Sequence, residues 1–255
     1  MRTLTSSTRL AGAVAPPRIV TRLLLTMAFL ITACGDADSP FEASSRTANL
    51  GDPIVGALSN FAVLGNAAVT CTDGNIVGDV GTFQATPTGS FTQTTCPVIG
   101  GIHVGDAIAK QAYNELLVEY AALAPKPGEV SQKLVGTLAG VILAPGNYSF
   151  DGAATLTGVL TLDGPPNGRW VFKIGSNGTG ALTGTNFSVV LANGAQACNV
   201  IWWVAEAATM TTSDLKGSIL AGTGVTLTDG SFIGNARAKA DATVTRTKVR
   251  GCSIA

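Results

Sequence analysis

Three consecutive stretches near the C-terminus decide the fold: ATMTTSDLKGSILAGTG at 208–224, VTLTDGSFIGNARAKAD at 225–241 and ATVTRTKVRG at 242–251. Each contains a Thr-x-Thr triplet, and the triplets recur every 17 residues, from Thr211 to Thr228 to Thr245. Side chains alternate between the two faces of a strand, so the central residue of a triplet points into a core and both threonines point outward. A constant step with one outward pair per step is typical of a β-solenoid, in which each repeat forms one coil.

Similar triplets occur earlier in the chain at longer intervals. Six share the form of one inward-capable residue between two small, mostly threonine, neighbours: Thr70-Cys71-Thr72, Thr155-Leu156-Thr157, Ala181-Leu182-Thr183, Thr209-Met210-Thr211, Thr226-Leu227-Thr228 and Thr243-Val244-Thr245. Turn residues such as those at 163–168 account for the longer steps. Most of the chain after Gly128 consists of short β-branched and aromatic runs between such turns, which predicts strands.

One segment predicts a helix. Between Asp106 and Ala124, apolar residues recur at intervals of three and four, which gives one buried stripe. Glu115 and Glu119 lie one turn apart, and we assign them to a solvated helix edge because no third polar group accompanies them for acid–base chemistry. The predicted fold class is all-β dominated: a right-handed β-solenoid (β-helix) over about Val55 to Cys252, with one long α-helix packed alongside.

Composition excludes several classes of protein. The 255 residues are 46% hydrophobic and 13% charged, which excludes a disordered chain and allows one sizeable core. Four of the 16 basic residues, all arginines, precede the apolar run that ends at Ala33, and without them 12 basic side chains face 16 acidic ones. The remaining net charge of −4 leaves no basic patch to bind phosphates, so nucleic acid is not a predicted partner.

The N-terminal region predicts export and anchoring. Residues 1–33 have the basic start, short apolar run and small residues of a signal peptide, and the run is too short to span a bilayer. The sequence Ile31-Thr32-Ala33-Cys34-Gly35 resembles the bacterial lipobox, so Cys34 is the predicted lipidation site and 34–54 a flexible tether. The alternative is ordinary cleavage after Ala33 with an unmodified Cys34. We expect a monomer, lipid-anchored outside the cytoplasm at the cell envelope or surface, with 55–255 as its folded domain.

Four cysteines remain after the leader: Cys71, Cys96, Cys198 and Cys252. An even number in an oxidising compartment predicts disulfides, and four cysteines allow three pairings. We favour Cys71 with Cys96 and Cys198 with Cys252, because each pair then stays within one half of the chain. No pair has the C-x-x-C spacing of a zinc or redox site, so neither a metal nor a cofactor is predicted.

The stacked triplets predict an unusual surface. Equivalent residues of neighbouring coils lie about 4.7–4.9 Å apart, and residues i and i+2 of one strand about 6.6–6.8 Å apart. Outward threonines therefore form a regular, uncharged grid of methyl and hydroxyl groups, whose branched side chains are stiff. Such a grid suits a partner that is itself periodic and uncharged.

Several motifs also occur in a characteristic order. They are FAVLG (61–65), IVGDVG (76–81), AYN (112–114), LAPGNYSF (143–150), LTLDG (160–164), WVFKI (170–174) and NGAQACNVIWWV (193–204). This order resembles the microbial ice-binding protein family of the DUF3494 type, over about Val55 to Thr247. The resemblance implies a discontinuous β-solenoid with a long helix alongside, and a face that binds an ice crystal surface.

Some members of that family carry a Thr-(Ala/Gly)-x-(Thr/Asn) motif on the ice-facing side. Thr183-Gly184-Thr185-Asn186 fits this motif completely, whereas Thr245-Arg246-Thr247-Lys248 departs from it, since two long cations would interrupt a level face. The resemblance and the triplets together imply these ice-binding residues: Thr70, Thr72, Asn75, Thr155, Thr157, Thr183, Thr185, Asn186, Thr209, Thr211, Thr226, Thr228, Ser231, Thr243 and Thr245. The implied function is to inhibit ice growth or recrystallisation, or to attach the cell to ice.

Other functions are weighed against this one. A cell-surface adhesin or polysaccharide-binding solenoid is the alternative, and rows of exposed aromatic rings would favour it. Trp202 and Trp203 are adjacent in a predicted strand, so we expect at most one exposed ring. An enzyme is not predicted, because the only histidine, His103, is best explained as a cap or turn residue and no G-x-S-x-G elbow is present.

Overall fold

The computed structural model describes residues 56–252. The predicted signal peptide, the lipidation site Cys34, the tether and Val55 lie outside the described residues, as do residues 253–255. Within 56–252, no helix is long and apolar enough to cross a membrane.

Nineteen strands and one α-helix form the described part of the chain. The helix, α1, is Ala107–Leu123, and short 3₁₀ turns lie at Ala57–Asn60 and Ala197–Asn199. The strands are β1 (Phe61–Gly65), β2 (Ala68–Thr72), β3 (Asn75–Val77), β4 (Asp79–Thr82), β5 (Ser90–Thr94), β6 (Val98–Ile99), β7 (Ile102–Val104), β8 (Gln132–Lys133), β9 (Val141–Leu143), β10 (Gly146–Phe150), β11 (Ala154–Asp163), β12 (Trp170–Ile174), β13 (Leu182–Ala192), β14 (Val200–Val204), β15 (Ala208–Lys216), β16 (Ser218–Ala221), β17 (Val225–Ile233), β18 (Ala236–Ala238) and β19 (Ala242–Arg250).

Every strand pairing in the two sheets is parallel, as coils stacked along one axis require. The first sheet has the order β7-β4-β1-β18-β16-β14-β12-β10-β8, and the second has β5-β2-β19-β17-β15-β13-β11-β9, with β3 and β6 attached. From β8 to β19, consecutive strands of the chain lie alternately in the first and the second sheet, so the chain winds from one sheet to the other and back. The predicted β-solenoid with one helix alongside is confirmed.

The order of coils along the axis differs from the order along the chain. The last strand, β19, pairs with β2 near the start, and Ala242 lies opposite Val69. The chain enters the stack at this internal position, builds outward to β7 at one edge of the first sheet, and resumes at β8 on the opposite edge. Helix α1 lies between β7 and β8 in the sequence, and its 17 residues span about 26 Å, or about five coil spacings. The helix thus carries the chain back along the solenoid.

Two apolar clusters hold these parts together. One fills the solenoid and includes a stack of aromatic rings, in which Phe172 and Trp202 lie 4.0 Å apart between ring centroids. The other lies between α1 and the first sheet, where Tyr113 and Leu116 of the helix pack with Leu64 and Leu220. The buried stripe that the sequence predicts for the helix is therefore present.

A buried ion pair adds to the contact between the helix and the first sheet. Arg237 of β18 is 7% exposed, and its Nη1 donates to Glu119 Oε2 of α1 at 2.8 Å. Its Nη2 donates to the carbonyl of Leu58 at 3.2 Å, and Glu115 accepts a hydrogen bond from Leu58 N at 2.9 Å. Burial lowers the pKa of Arg237 from its usual value, and the charges of Glu119 and Glu115 oppose that shift.

The expectation that Glu115 and Glu119 lie on a solvated helix edge is wrong. Both face the body of the protein, where they join α1 to Arg237 and to the turn at Ala57–Asn60. The sequence pattern does not show this because the partners, Arg237 and Leu58, lie 118 and 57 residues away from their respective glutamates.

Two disulfides close the coils. Cys71 is joined to Cys96 across 25 residues, and Cys198 to Cys252 across 54 residues. These are the two pairs that the sequence analysis favoured. Cys71 is the central residue of a Thr-x-Thr triplet and is fully buried, so its bond fastens the outer coil of β5 to that of β2 from inside.

We expect Glu119→Gln to lower the free energy of unfolding by about 3 kcal/mol, because it leaves the buried guanidinium of Arg237 without the carboxylate to which it is hydrogen-bonded. Urea denaturation at neutral pH measures the loss. The double variant Glu119→Leu/Arg237→Met, which removes both charges, is the matched control and is expected to recover most of the stability. Equal stability of Glu119→Gln and the wild type would show that the pair does not hold the helix.

Candidate functional site

One side of the second sheet carries two columns of threonines, which we name the threonine face. In-register pairing places one threonine of each column on every one of seven adjacent strands, from β5 to β11. The first column contains Thr92, Thr70, Thr243, Thr226, Thr209, Thr183 and Thr155, and the second contains Thr94, Thr72, Thr245, Thr228, Thr211, Thr185 and Thr157. Only Thr157 and Thr185 depart from regular register, because the ladder between β11 and β13 shifts between Leu156 and Gly158.

The residues between the two columns anchor the face from below. Leu156, Met210, Leu227 and Val244 are at most 3% exposed and lie in the solenoid core. In β13 the central residue is Gly184, where an added Cβ would lie 2.1 Å from Cε of Met210 on the next coil. The methionine side chain therefore fills the space under this row, and glycine is required for its close approach.

All the threonines of the face reach solvent. Five threonines on the outer strands β5, β11 and β13 are exposed and the other nine are half-buried; the exposed ones are Thr92, Thr94, Thr155, Thr183 and Thr185. Among residues 56–252, the threonine hydroxyls that donate to protein atoms are those of the buried Thr82 and Thr247, and none belongs to the threonine face. The hydroxyls of the face are thus free to bond to water.

A corner of left-handed residues bounds the second column. The residue that follows the second threonine has a φ between +47° and +55° in six coils, at Thr95, Asp73, Arg246, Asp229, Thr212 and Asn186. Non-glycine residues seldom adopt this conformation, and Asn and Asp tolerate it best. The chain turns here from the threonine face to a second surface of the same sheet. This surface is formed by outward residues after the corner, such as Asn75, Lys248 and Ser231, and we name it the adjoining face.

The corner decides where the other predicted ice-binding residues lie. Asn75 and Ser231 come after it and pair with Lys248, so they belong to the adjoining face rather than to the threonine face. Asn186 is itself a corner residue and is exposed. The twelve predicted threonines, in contrast, all lie in the two columns.

The structure corrects the sequence analysis at two rows. Thr183 pairs with Thr209 and Thr185 with Thr211, so the triplet of β13 is Thr183-Gly184-Thr185 and not Ala181-Leu182-Thr183. Thr92 and Thr94 of β5 were missed, although they also form a Thr-x-Thr triplet. Their central residue is the polar Gln93, and a search for an apolar centre passes over it.

Arg246 and Lys248 do not interrupt the columns. Thr243 and Thr245 stay in register with Thr226 and Thr228, while Lys248 lies on the adjoining face. Arg246 is at the corner, where its guanidinium makes two hydrogen bonds to the carboxylate of Asp229 on the next coil. This hydrogen bond holds the pKa of Asp229 below its ordinary value, so the carboxylate is ionised at neutral pH.

The opposite border of the threonine face is formed mainly by small residues. Those two positions before the first column are Ser90, Ala68, Asp241, Gly224, Ala207, Ala181 and Ala153. Asp241 is the charged member, and its carboxylate accepts a hydrogen bond from Ala68 N at 2.9 Å. Charges are therefore confined to the two edges of the face, with Asp241 at this border and Asp73, Asp229 and Arg246 at the corner.

All aromatic side chains within 56–252 are buried or half-buried. Trp202 lies in the solenoid core at 0% exposure, and Trp203 is 4% exposed beneath α1, stacked on Tyr120. Neither ring is exposed, which is within the predicted limit of one. Phe83, Phe91 and Tyr120 are half-buried, and the other phenylalanines and tyrosines of 56–252 are buried.

His103 has a structural environment. Its Nδ1 lies 2.7 Å from Oδ2 of Asp106, whose other carboxylate oxygen accepts a hydrogen bond from Ala109 N at 2.8 Å and caps α1. This geometry is that of a histidine that supports a helix cap.

Comparison with known proteins agrees with the architecture. The family model described as Ice-binding-like matches residues 63–250. An ice-binding protein of Nostoc sp. (strain HG1) is 38% identical over 213 residues, which cover 80% of this chain and 74% of that protein. An ice-binding protein of Flavobacterium frigoris (strain PS1) is 29% identical over 224 residues, or 82% of this chain and 79% of the relative.

Solved structures of similar proteins share the fold. The ice-binding protein from the Antarctic ascomycete Antarctomyces psychrotrophicus superposes with a TM-score of 0.68 at 30% identity, covering 76% of this chain and 96% of that one. The DUF3494 domain of ice-binding protein 1 from Shewanella frigidimarina gives a TM-score of 0.69 at 27% identity, covering 78% and 97% respectively. By its sequence and its fold, this chain belongs to the ice-binding-like family.

Proposed function

We propose that this protein binds ice through the threonine face. The observation that carries the proposal is the double column of threonines on seven stacked strands, with free hydroxyls and with charges only at the edges. Relatives over most of the chain are named ice-binding proteins, which supports the same function here.

The spacing of the groups suits a crystalline partner. Neighbouring rows lie about 4.8 Å apart, so seven rows extend over about 29 Å, and the two columns lie about 6.7 Å apart. Methyl groups order the adjacent water, and hydroxyls hold that ordered layer by hydrogen bonds. Water held at a spacing close to that of an ice plane can join the crystal, so that many weak contacts act together.

The face loses little entropy when it binds. Threonine is branched at Cβ and occupies few rotamers, and the in-register ladder fixes the backbone beneath it. Immobilising flexible side chains opposes association, and this surface has few of them. A monomer is sufficient for this function, because one chain supplies all seven rows.

A polysaccharide is the alternative ligand, and the surface favours ice. Sugar rings bind to proteins largely by stacking on exposed aromatic rings, and among residues 56–252 all aromatic side chains are buried or half-buried. The threonine face offers small groups at close spacing instead of broad apolar rings.

We also propose that the protein acts from the surface of the cell. The support is the sequence Ile31-Thr32-Ala33-Cys34-Gly35 with its preceding apolar run, which resembles a lipobox and would make Cys34 the lipidated N-terminus. Several acyl chains on one cysteine bind a membrane stably, since each buried CH₂ contributes about 0.8 kcal/mol. An ice-binding face on such an anchor limits ice growth or recrystallisation at the envelope, or attaches the cell to ice.

A fluorescent fusion of the protein is expected to be incorporated into a slowly growing ice hemisphere and to leave chitin and cellulose unlabelled. Fluorescence in the melted ice and on the washed polymers measures both. Labelled polymers with clear ice would contradict the proposal and establish the alternative.

Thr183→Tyr is expected to reduce thermal hysteresis and recrystallisation inhibition severalfold, because the ring would stand above the face and separate the neighbouring rows from ice. The matched control is Val190→Tyr, on the same strand β13 but on the adjoining face, where Val190 is 47% exposed. The control should keep wild-type activity. If Thr183→Tyr keeps the same activity as Val190→Tyr and the wild type, the ice contact lies elsewhere.

Cys34→Ala is expected to move the protein from the membrane fraction of the cell to the soluble or secreted fraction. Fractionation followed by immunoblotting measures the change, and mass spectrometry of the wild-type N-terminus tests for acyl chains. A wild-type protein that is cleaved after Ala33 and carries an unmodified Cys34 would exclude the anchor.

A further inference from the structure

The corner beside the second threonine column contains one long cationic side chain, and its other side chains are short. Arg246 follows Thr245 directly, and its coil lies between those of Asp73 and Asp229. The other corner residues, Thr95, Thr212 and Asn186, have short uncharged side chains. Arg246 is therefore the corner residue that is long enough to extend over the threonines beside it.

The backbone sets the direction of these side chains. Arg246 has φ +49° and Asp229 has φ +55°, so both corner residues have the same left-handed conformation on adjacent coils. Their Cα–Cβ bonds are thus nearly parallel and about one coil spacing apart, near 4.8 Å. At this distance the arginine side chain can fold along the corner and meet the carboxylate of the next coil.

The contact is directional and has two points of attachment. Nε of Arg246 donates to Oδ1 of Asp229 at 2.7 Å, and Nη2 donates to Oδ2 at 3.0 Å. A bidentate pair fixes the plane of the guanidinium as well as its position. The side chains remain partly exposed, Arg246 at 55% and Asp229 at 39%, so little of the fold depends on the pair.

We propose that Asp229 is a positioning residue of the threonine face: it holds the Arg246 guanidinium along the corner and so keeps Thr228 and Thr245 open to ice. This inference rests on the proposed function. A released arginine would extend over the edge of the second column, where its length and its charged N–H donors would displace the ordered water on which contact with ice depends.

The test uses substitutions that preserve the corner. Asn occupies the equivalent corner position in β13 with φ +48°, so both Asp229→Asn and Arg246→Asn are compatible with the backbone. In Asp229→Asn, one carboxylate oxygen becomes an amide nitrogen that faces one of the two guanidinium donors, and the bidentate pair is lost. We compare the wild type, both single variants and the double variant.

We expect Asp229→Asn to lower thermal hysteresis at least about twofold. The temperature at which the protein unfolds should stay unchanged, since an exposed ion pair contributes little to folding. Arg246→Asn and the double variant should match the wild type, because no free cation remains at the corner. The Arg246 Nε proton should also exchange with water faster in Asp229→Asn, as measured by NMR.

Each other outcome overturns the inference. If the double variant is as weak as Asp229→Asn, then Asp229 supports the face itself and does not act through Arg246. If Asp229→Asn keeps full activity while the wild type binds ice, the pair has no positioning role and the proposed function stands. If the wild type and Arg246→Asn both fail to affect ice, the proposed function fails, and this inference fails with it.

Discussion

In-register parallel pairing between coils is the constraint on which the rest of the structure depends. Thr226 lies opposite Thr243 and Thr209, and Thr228 opposite Thr245 and Thr211, because the backbone ladder aligns the strands residue by residue. A slip of one residue would turn the threonines into the core and expose Leu227 and Met210. The apolar centres of the triplets and the threonines beside them therefore enforce the same register, and the surface is regular because the core is.

The left-handed corner limits the width of that surface. It follows the second threonine in six coils and separates an uncharged face from an adjoining face that carries Lys216, Lys248 and Arg250. Helix α1 lies against the first sheet, joined to it by the buried pair of Arg237 and Glu119. The threonine face is consequently left without a covering element among the described residues.

Much of this architecture can be predicted from local pattern. The 17-residue step fixes the register of β15, β17 and β19, because each repeat there has the same length and no insertion. Prediction is poorer where pairing is not local. The sequence analysis predicts the triplet of β13 two residues early, because alternation alone accepts Leu182 or Gly184 as the centre, and only pairing with Met210 decides between them. The sequence implies Asn75 and Ser231 as ice-binding residues, yet the corner places them on another face, because the backbone angle φ cannot be read from residue order.

The order of the coils has a consequence for how the protein is made. Strand β2 has β19 as a neighbour, and Val69 lies opposite Ala242, so the rows of β5 and β2 join the other five only through β19, the last strand of the described residues. During synthesis or export the N-terminal coils emerge first and can pair with one another, but the edges at β1 and β2 have no partner until β18 and β19 are made. Contacts of such long sequence separation form slowly, and unpaired strand edges are exposed meanwhile. The continuous surface is thus completed in a single late step, and a polypeptide truncated before β19 has two unconnected threonine patches instead of one.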